Sequence, residues 1–304
     1  MSLTPPAGNP TGPAAAQPAL HGGAAQYDAV AASAAAAVLR GYSTSFGLAT
    51  RLLSEPARTH VRNVYALVRV ADEIVDAPRP GGTRALQARL LGQLEAETRA
   101  ALETGHSANL IVHAFAGTAR SCGIDRTLTE PFFGSMRSDL FLTRHDAESF
   151  ARYVHGSAEV VGLMCLRAFL SGQADAGTEY AALAPGAQRL GAAFQKVNFL
   201  RDLAADSRGL GRHYFPGIDP DRLDDRTRDL LLDDIDADLA AADAAIDRLP
   251  AGARRGVRVA HALFAELSAR LRRTPALRIR DERVRVPGPV KARVVARALV
   301  RGDR

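Results

Sequence analysis

The sequence predicts an all-α protein, a single helical domain around a deep central cavity. Three observations carry this. Ala192 to Asp206 contains neither Pro nor Gly and reads as one helix. Val61 to Asp76 reads as another, stopped by Pro78 and Pro80 just beyond it. Each carries polar residues at a helical period on an otherwise apolar body, so neither suits a solvated surface. No compositional break in the 304 residues argues for a second domain, and an apolar fraction of 47% supports a large core.

The first stripe is Gln195, Asn198, Asp202 and Asp206, at i, i+3, i+7 and i+11. On a continuous helix it runs about 16 Å along one face. Phe194, Val197, Phe199 and Leu203 make the remaining surface apolar. The second stripe is Tyr65, Arg69, Asp72 and Asp76, at i, i+4, i+7 and i+11. One Asp-x-x-x-Asp on a helix is ordinarily a solvated face. Two of them, each within the same kind of extended stripe, predict carboxylates opposed across an interior. Like charges so placed repel unless cations stand between them. Oxygen ligands without His or Cys select Mg²⁺, with Mn²⁺ as its substitute, and such sites draw further oxygens from substrate phosphates. Asp72, Asp76, Asn198, Asp202 and Asp206 are therefore the candidate metal ligands for a diphosphate held between two helices.

Other stretches agree with these stripes and carry a resemblance. Ser43-Thr-Ser-Phe, followed by Arg51-Leu-Leu, is one. Met136-Arg-Ser-Asp-Leu140 through Tyr153 to Val161-Gly-Leu-Met164 is the second. Val284-Arg-Val-Pro-Gly-Pro-Val-Lys-Ala292 is the third. In order and spacing, from about residue 40 to the end, the chain resembles the squalene/phytoene synthase family of head-to-head prenyl diphosphate synthases. The resemblance implies the isoprenoid synthase fold, prenyl diphosphate substrates, and a catalytic set of Tyr65, Arg69, Asp72, Asp76, Asp202 and Asp206. It implies substrate contacts from Ser45, Phe46, Gln195, Asn198, Arg201, Arg212 and Tyr214. The activity it implies first is condensation of two geranylgeranyl diphosphates to phytoene. Squalene or presqualene diphosphate synthesis from farnesyl diphosphate, a terpene cyclase and a non-catalytic helical scaffold stand as alternatives. NADPH is not expected, although relatives that use it also lack a Gly-rich fingerprint.

The elements follow in order. Residues 1–25, rich in Pro, Gly and Ala, are expected to be a disordered tail ahead of a domain over 26–304. They lack the basic and Leu-rich regions of a signal peptide. The alanines from Ala29 to Ala37 read as a first helix. Ser54 before Glu55-Pro56 reads as an N-cap. Thr44 stands where many relatives carry Lys, which removes one phosphate contact unless another cation replaces it. Glu73 falls off the Asp72 stripe. Residues 83–104 form an amphipathic helix, and 108–120 and 127–142 are further helices. Asp139 sits three after Met136. Tyr153 to Leu170 is an apolar helix with Gly156, Ser157, Ala158 and Gly162 along it, and Glu159 puts a carboxylate on that expected cavity wall. Pro185-Gly186 precedes the helix of the first stripe. Lys196 and Ala205 depart from relatives but lie off the stripe. The acidic run around Asp233, Asp234, Asp236 and Asp238 reads as a solvated face.

Charge bounds the partners. All but Lys196 and Lys291 of the 39 Lys plus Arg are Arg, and the formal net charge is +6. The arginines crowd the C-terminal part, but no aromatic interleaving or nucleic-acid motif accompanies them, so nucleic acid is not expected. An anionic membrane surface suits them better, as peripheral contact, with plain solubilisation an equal alternative. No apolar run is long enough to span a bilayer. Cys122 and Cys165 give no disulfide framework or zinc spacing, which fits a reducing cytoplasm. Oligomeric state is not legible.

Overall fold

Ala, Leu and Arg dominate the sequence and favour helix over strand. In the computed structural model every named element is accordingly helical. It describes residues 21–76 and 81–301. The order is α1 (His21–Tyr42), α2 (Thr44–Thr50), α3 (Ala57–Asp76), α4 (Arg84–Thr104), α5 (Leu110–Cys122), α6 (Arg126–Ser138) and α7 (Ala147–Val154). A π-helical turn (His155–Glu159) leads into α8 (Val160–Leu170) and then α9 (Ala176–Arg201). The second half comprises α10 (Leu203–Ala205), a π turn (Asp206–Leu210), a 3₁₀ turn (Pro220–Arg222), α11 (Asp225–Arg248), α12 (Ala251–Arg273), α13 (Ala276–Ile279) and α14 (Gly288–Arg301). Among the described residues the one β-type pairing outside named strands is an isolated bridge between Arg144 and His213.

Local chemistry explains several boundaries. Thr83 caps α4 by accepting from Leu86 N at 3.2 Å, and Gly105 ends it at φ 77°, a conformation that costs glycine little. Asn109 caps α5 in the same way. Ser43 caps α2, its hydroxyl accepting from Phe46 N at 3.1 Å. At the start of α3 it is Glu55, not the expected Ser54, whose side chain receives a first-turn amide, that of Thr59. Most of the expected tail lies outside the described residues; its last five residues, 21–25, already belong to α1. Residues 77–80, with the two prolines, also lie outside, and α3 ends at Asp76 as the sequence predicts.

Two interior walls pack at backbone distance. A Cβ on Gly162 would stand 2.5 Å from the Ala187 carbonyl, and one on Gly191 would stand 2.5 Å from that of Ala158. These contacts bring α8 and α9 together in antiparallel register. Pro185 lies inside α9 rather than ahead of it, on an exposed face. On the other side of α9, Lys196 binds Asp238 at 2.8 Å and Arg189 binds the same carboxylate at 2.8 Å. The acidic run is therefore not simply solvated. Asp238 is buried in a clamp between α9 and α11, and Arg272 of α12 holds Asp233 and Asp236. Phe115, Phe132 and Phe133 fill the core between α4, α5, α6 and α8, while Val197, Leu200, Leu232 and Leu271 fill the one between α9, α11 and α12.

Candidate active site

A chamber of about 680 Å³ runs between α2, α3, α8, α9, α11 and α12, with Arg283 to Val286 and Lys291 at its edge. Its walls are mostly aliphatic and aromatic. Phe46 stacks on Tyr65 at 5.4 Å between ring centres, and Phe194 on Phe264 at 3.8 Å. Of the residues expected at the site, Ser45, Phe46, Tyr65, Arg69, Asp72, Gln195, Asn198 and Arg201 line it, whereas Asp76, Asp202, Asp206, Arg212 and Tyr214 do not. Gln195 donates to Ser157 Oγ at 3.4 Å, so the first stripe faces the π turn before α8.

The continuous helix expected through Asp206 is absent. α9 stops at Arg201, Asp202 leaves helical geometry at φ −99° and ψ 8°, and the chain resumes as α10 and a π turn. The break swings the lower half of the stripe. Asp202 turns toward a second, smaller pocket of about 280 Å³, shared with Arg208 and Asp281. Arg201 donates to it through Nε at 3.0 Å, and Arg283 stands 2.7 Å away. A cation pair on one carboxylate offsets the loss of water there.

Asp206 stays inward. Burial first, then Asp202 and Asp76, push its carboxyl up to about 7. Asp72 is raised well above the ordinary range by burial and then by Asp76. Its side chain keeps 30% of its surface open, so its desolvation comes from protein packed around the chamber wall. Across the two stripes it is Asp76 and Asp206 that repel, while Asp72 and Asp76 repel within one stripe and Asp202 and Asp206 within the other. Arg69 joins Glu73 in an ion pair and stands 3.9 Å from Asp72, which gives Glu73 a place at the site that the stripe did not.

Behind the carboxylates lies a buried network. Tyr153 Oη donates to Asp139 at 2.7 Å, and Tyr214 Oη donates to the other oxygen at 3.3 Å. Arg212 stands 3.8 Å from Asp139, donates to the Val75 carbonyl at 3.0 Å and bonds Asp76. It thus ties the end of α3 to the loop after the π turn. Burial pushes the Asp139 carboxyl up to about 7, against the pull of Arg212. Burial likewise raises the Tyr153 and Tyr214 phenols, with Asp139 the next cause.

The sequence assigns Asp139 only a structural place near the site and does not single out Tyr153, Arg283 or Lys291 as part of it. Asp139 and Tyr153 lay in a recognised block but carried no helical-period signal. Arg283 was one arginine among many. Lys291, one of two lysines, reaches from α14 to Thr44 Oγ1 at 3.2 Å, so a cation does stand where Thr44 removed one. Glu159 does not line the chamber. It turns to His155 Nδ1 at 2.9 Å and Gln188. Cys165 packs against the core and also lines the chamber wall, its thiol pushed up to about 12 by burial.

The donor set fits a hard divalent cation that shares its shell with a phosphate ligand. Asn198 lines the chamber with a buried Oδ1 that has no hydrogen-bond partner, and Asp206 is repelled by Asp202 and Asp76. Among the described residues no three His, Cys, Asp or Glu side chains converge to hold an ion alone.

A helical barrel with opposed aspartates at the head of an apolar chamber defines an isoprenoid synthase of the squalene synthase fold, and solved structures agree. A dehydrosqualene synthase superposes with a TM-score of 0.76 at 19% identity, covering 91% of this chain and 98% of that one. A squalene synthase of Alicyclobacillus acidocaldarius gives 0.69 at 19% identity, over 81% and 94%. The squalene/phytoene synthase family model matches residues 39–289, and the chain belongs to that family, whose members are prenyltransferases acting on prenyl diphosphates. Phytoene synthase of Mycobacterium tuberculosis is 28% identical over 281 residues, 86% of this chain and 88% of its own. A presqualene diphosphate synthase of Rhodopseudomonas palustris is 30% identical over 175 residues, 57% and 58% respectively.

Proposed function

We propose that this chain joins two geranylgeranyl diphosphates head to head, through a cyclopropylcarbinyl diphosphate, to phytoene. The observation that carries this reading is the chamber itself, aliphatic along its length and headed by coupled carboxylates and arginines. The likeness to phytoene synthases over most of the chain supports the product.

Asp72, Asp76, Asn198 and Asp206 would hold Mg²⁺, or Mn²⁺ in its place, and Asp202, held here by Arg201 and Arg283, would join them only on leaving those arginines. The ion, when bound, supplies positive charge to the departing diphosphate. The remaining work belongs to side chains. Arg69, Arg201 and Arg212 place fixed cations where negative charge gathers as the C1–O bond of the first substrate breaks. Ser45 at the head of the chamber offers a hydroxyl donor to phosphate oxygen. Phe46, Tyr65 and Phe194 present ring faces to the allylic cation and keep water from it. The double bond of the second chain attacks that cation, and proton loss closes the three-membered ring. Loss of the second diphosphate, rearrangement and a further proton loss complete the C40 product. Tyr214, held by Asp139 and Arg212, keeps the leaving-group side ordered.

The test is turnover of purified protein with Mg²⁺ and either geranylgeranyl or farnesyl diphosphate, read by mass spectrometry. Asp72→Ala and Asp202→Ala serve as controls. A C40 hydrocarbon from the C20 substrate, lost in both controls, is expected. A C30 diphosphate or hydrocarbon moves the assignment to the squalene branch, which the likeness to the presqualene enzyme keeps in view. A cyclic C15 or C20 product makes the protein a cyclase. No turnover, with diphosphate binding equal in wild type and controls, leaves a scaffold.

A further inference from the structure

We infer that the chamber is a length gauge for the prenyl chain, with Ala187 marking the depth of a three-unit chain and Leu183 and Ile246 forming the floor. This rests on the prenyl diphosphate reading above and adds the residues that choose the substrate. Lining side chains descend one face of α9 from Asn198 through Phe194, Leu190 and Ala187 to Leu183. Leu183 is 1% exposed and Ile246 3%, and with Leu166, Phe169 and Leu249 they close the far end.

The depth follows from helix geometry. Leu183 lies fifteen residues before Asn198, about 22 Å at the rise of an α-helix. An extended chain advances about 1.2 Å per main-chain bond, so a four-bond prenyl unit advances about 5 Å. Four units reach about 20 Å and meet the floor, whereas three reach about 15 Å, the level of Ala187. Five units, at about 25 Å, would strike Leu183 and Ile246.

A gauge needs walls that do not yield. Here the walls touch backbone to backbone. Gly162 abuts the Ala187 carbonyl and Gly191 that of Ala158, each with 2.5 Å for a Cβ. Across the other side, a Cβ on Gly186 would meet Ala245 Cβ at 2.3 Å, and Lys196 locks the same pair of helices to Asp238. α9 is thus pinned to α8 and α11 beside the floor.

The experiment titrates full-length protein, with Mg²⁺, against C15, C20 and C25 prenyl diphosphates. Affinity is read by calorimetry and product length by mass spectrometry. C20 is expected to bind at least about 10-fold tighter than C15, as apolar contacts at the floor go unmade by the shorter chain, and C25 to bind weakest. Ala187→Phe raises the floor by one unit and should reverse the C15 to C20 preference. Leu183→Ala lowers it and should admit C25, which keeps the inference testable if the bulkier variant does not fold. Equal affinity for C15 and C20 in wild type, or an unchanged C25 to C20 ratio in folded Leu183→Ala, overturns the gauge. Absence of turnover with every chain removes the condensation reading, while the affinity ratios still decide the gauge.

Discussion

Asp139 has two tyrosine hydroxyls and a guanidinium around one buried carboxylate, and nothing else at the site gathers as many elements. Through it α7, the end of α6 and the loop after the second π turn meet, and through Arg212 the end of α3 joins them. Removing the carboxylate would leave two buried tyrosine hydroxyls without their acceptor and take one charge from beside Arg212, so Asp139→Ala should lose about 3 kcal/mol or more. In a domain of this size that lowers Tm by about 6 °C or more, measured by calorimetry. Asp139→Asn keeps acceptor capacity for one tyrosine and should lose less. An Asp139→Ala protein that melts with wild type would show that the network does not hold the loop. Lys196 works by a similar logic at lower stakes. Its departure from the family pattern is matched by Asp238 across the interface, so the substitution adds a helix clamp and leaves the site alone.

The helices gain their positions from small residues more than from large ones. Gly162 and Gly191 let α8 and α9 approach until a side chain on either would overlap a carbonyl, and a backbone atom cannot swing aside as a long side chain can. Gly162→Val should therefore destabilise by about 1–3 kcal/mol through forced separation, and should also misplace the chamber wall. Gly92, within α4, has nothing within 4 Å of an added Cβ. Gly92→Ala should stabilise by about 0.5–1 kcal/mol through reduced freedom of the unfolded chain. Thermal melts of the two variants should move in opposite directions from wild type; movement in one direction would refute the packing argument. The wide π turn at His155–Glu159 belongs to the same scale. A Cβ on Gly156 there would stand 2.2 Å from the Pro131 carbonyl, so the turn packs against α6 only because that position is glycine.

Taken as a whole, the molecule concentrates unfavourable charge at the head of its chamber. Asp139 and Asp206 titrate near pH 7 in the folded protein but near the ordinary carboxylate value when unfolded. Between about pH 4 and pH 7 the folded state therefore holds protons that the unfolded chain has released, so these groups reduce stability as pH rises through that window. Half-buried His60 and buried His145, with pKa values lowered by burial, act in the opposite sense, since the unfolded chain takes up their protons as pH falls below about 6.5. A variant difference separates the two. Asp206→Asn removes one raised carboxyl, so its Tm relative to wild type should climb as pH goes from about 5 to 8. A difference that is flat with pH would mean that Asp206 is not held protonated. Among the described residues no helix is long and apolar enough to cross a membrane.

What the sequence determined by itself was periodic and local. The stripes on Val61–Asp76 and Ala192–Arg201 placed Tyr65, Arg69, Asp72, Gln195 and Asn198 on the chamber wall, because a helix fixes which residues share a face regardless of what it packs against. Repulsion between Asp76 and Asp206 across the two helices follows from the same rule. What only the tertiary structure decided was where helices stop and what they meet. The break at Asp202 turned that carboxylate toward Arg283, eighty-one positions away. Glu159 faced His155 instead of the chamber because a π turn rotates it off the α-helical face. Asp139 became the centre of a network through partners drawn from three segments, and no spacing within one segment encodes such a meeting. The depth of the chamber likewise depends on how closely α9 approaches its neighbours, a sum of many contacts whose individual terms are short-ranged and whose arrangement exists only in the folded state.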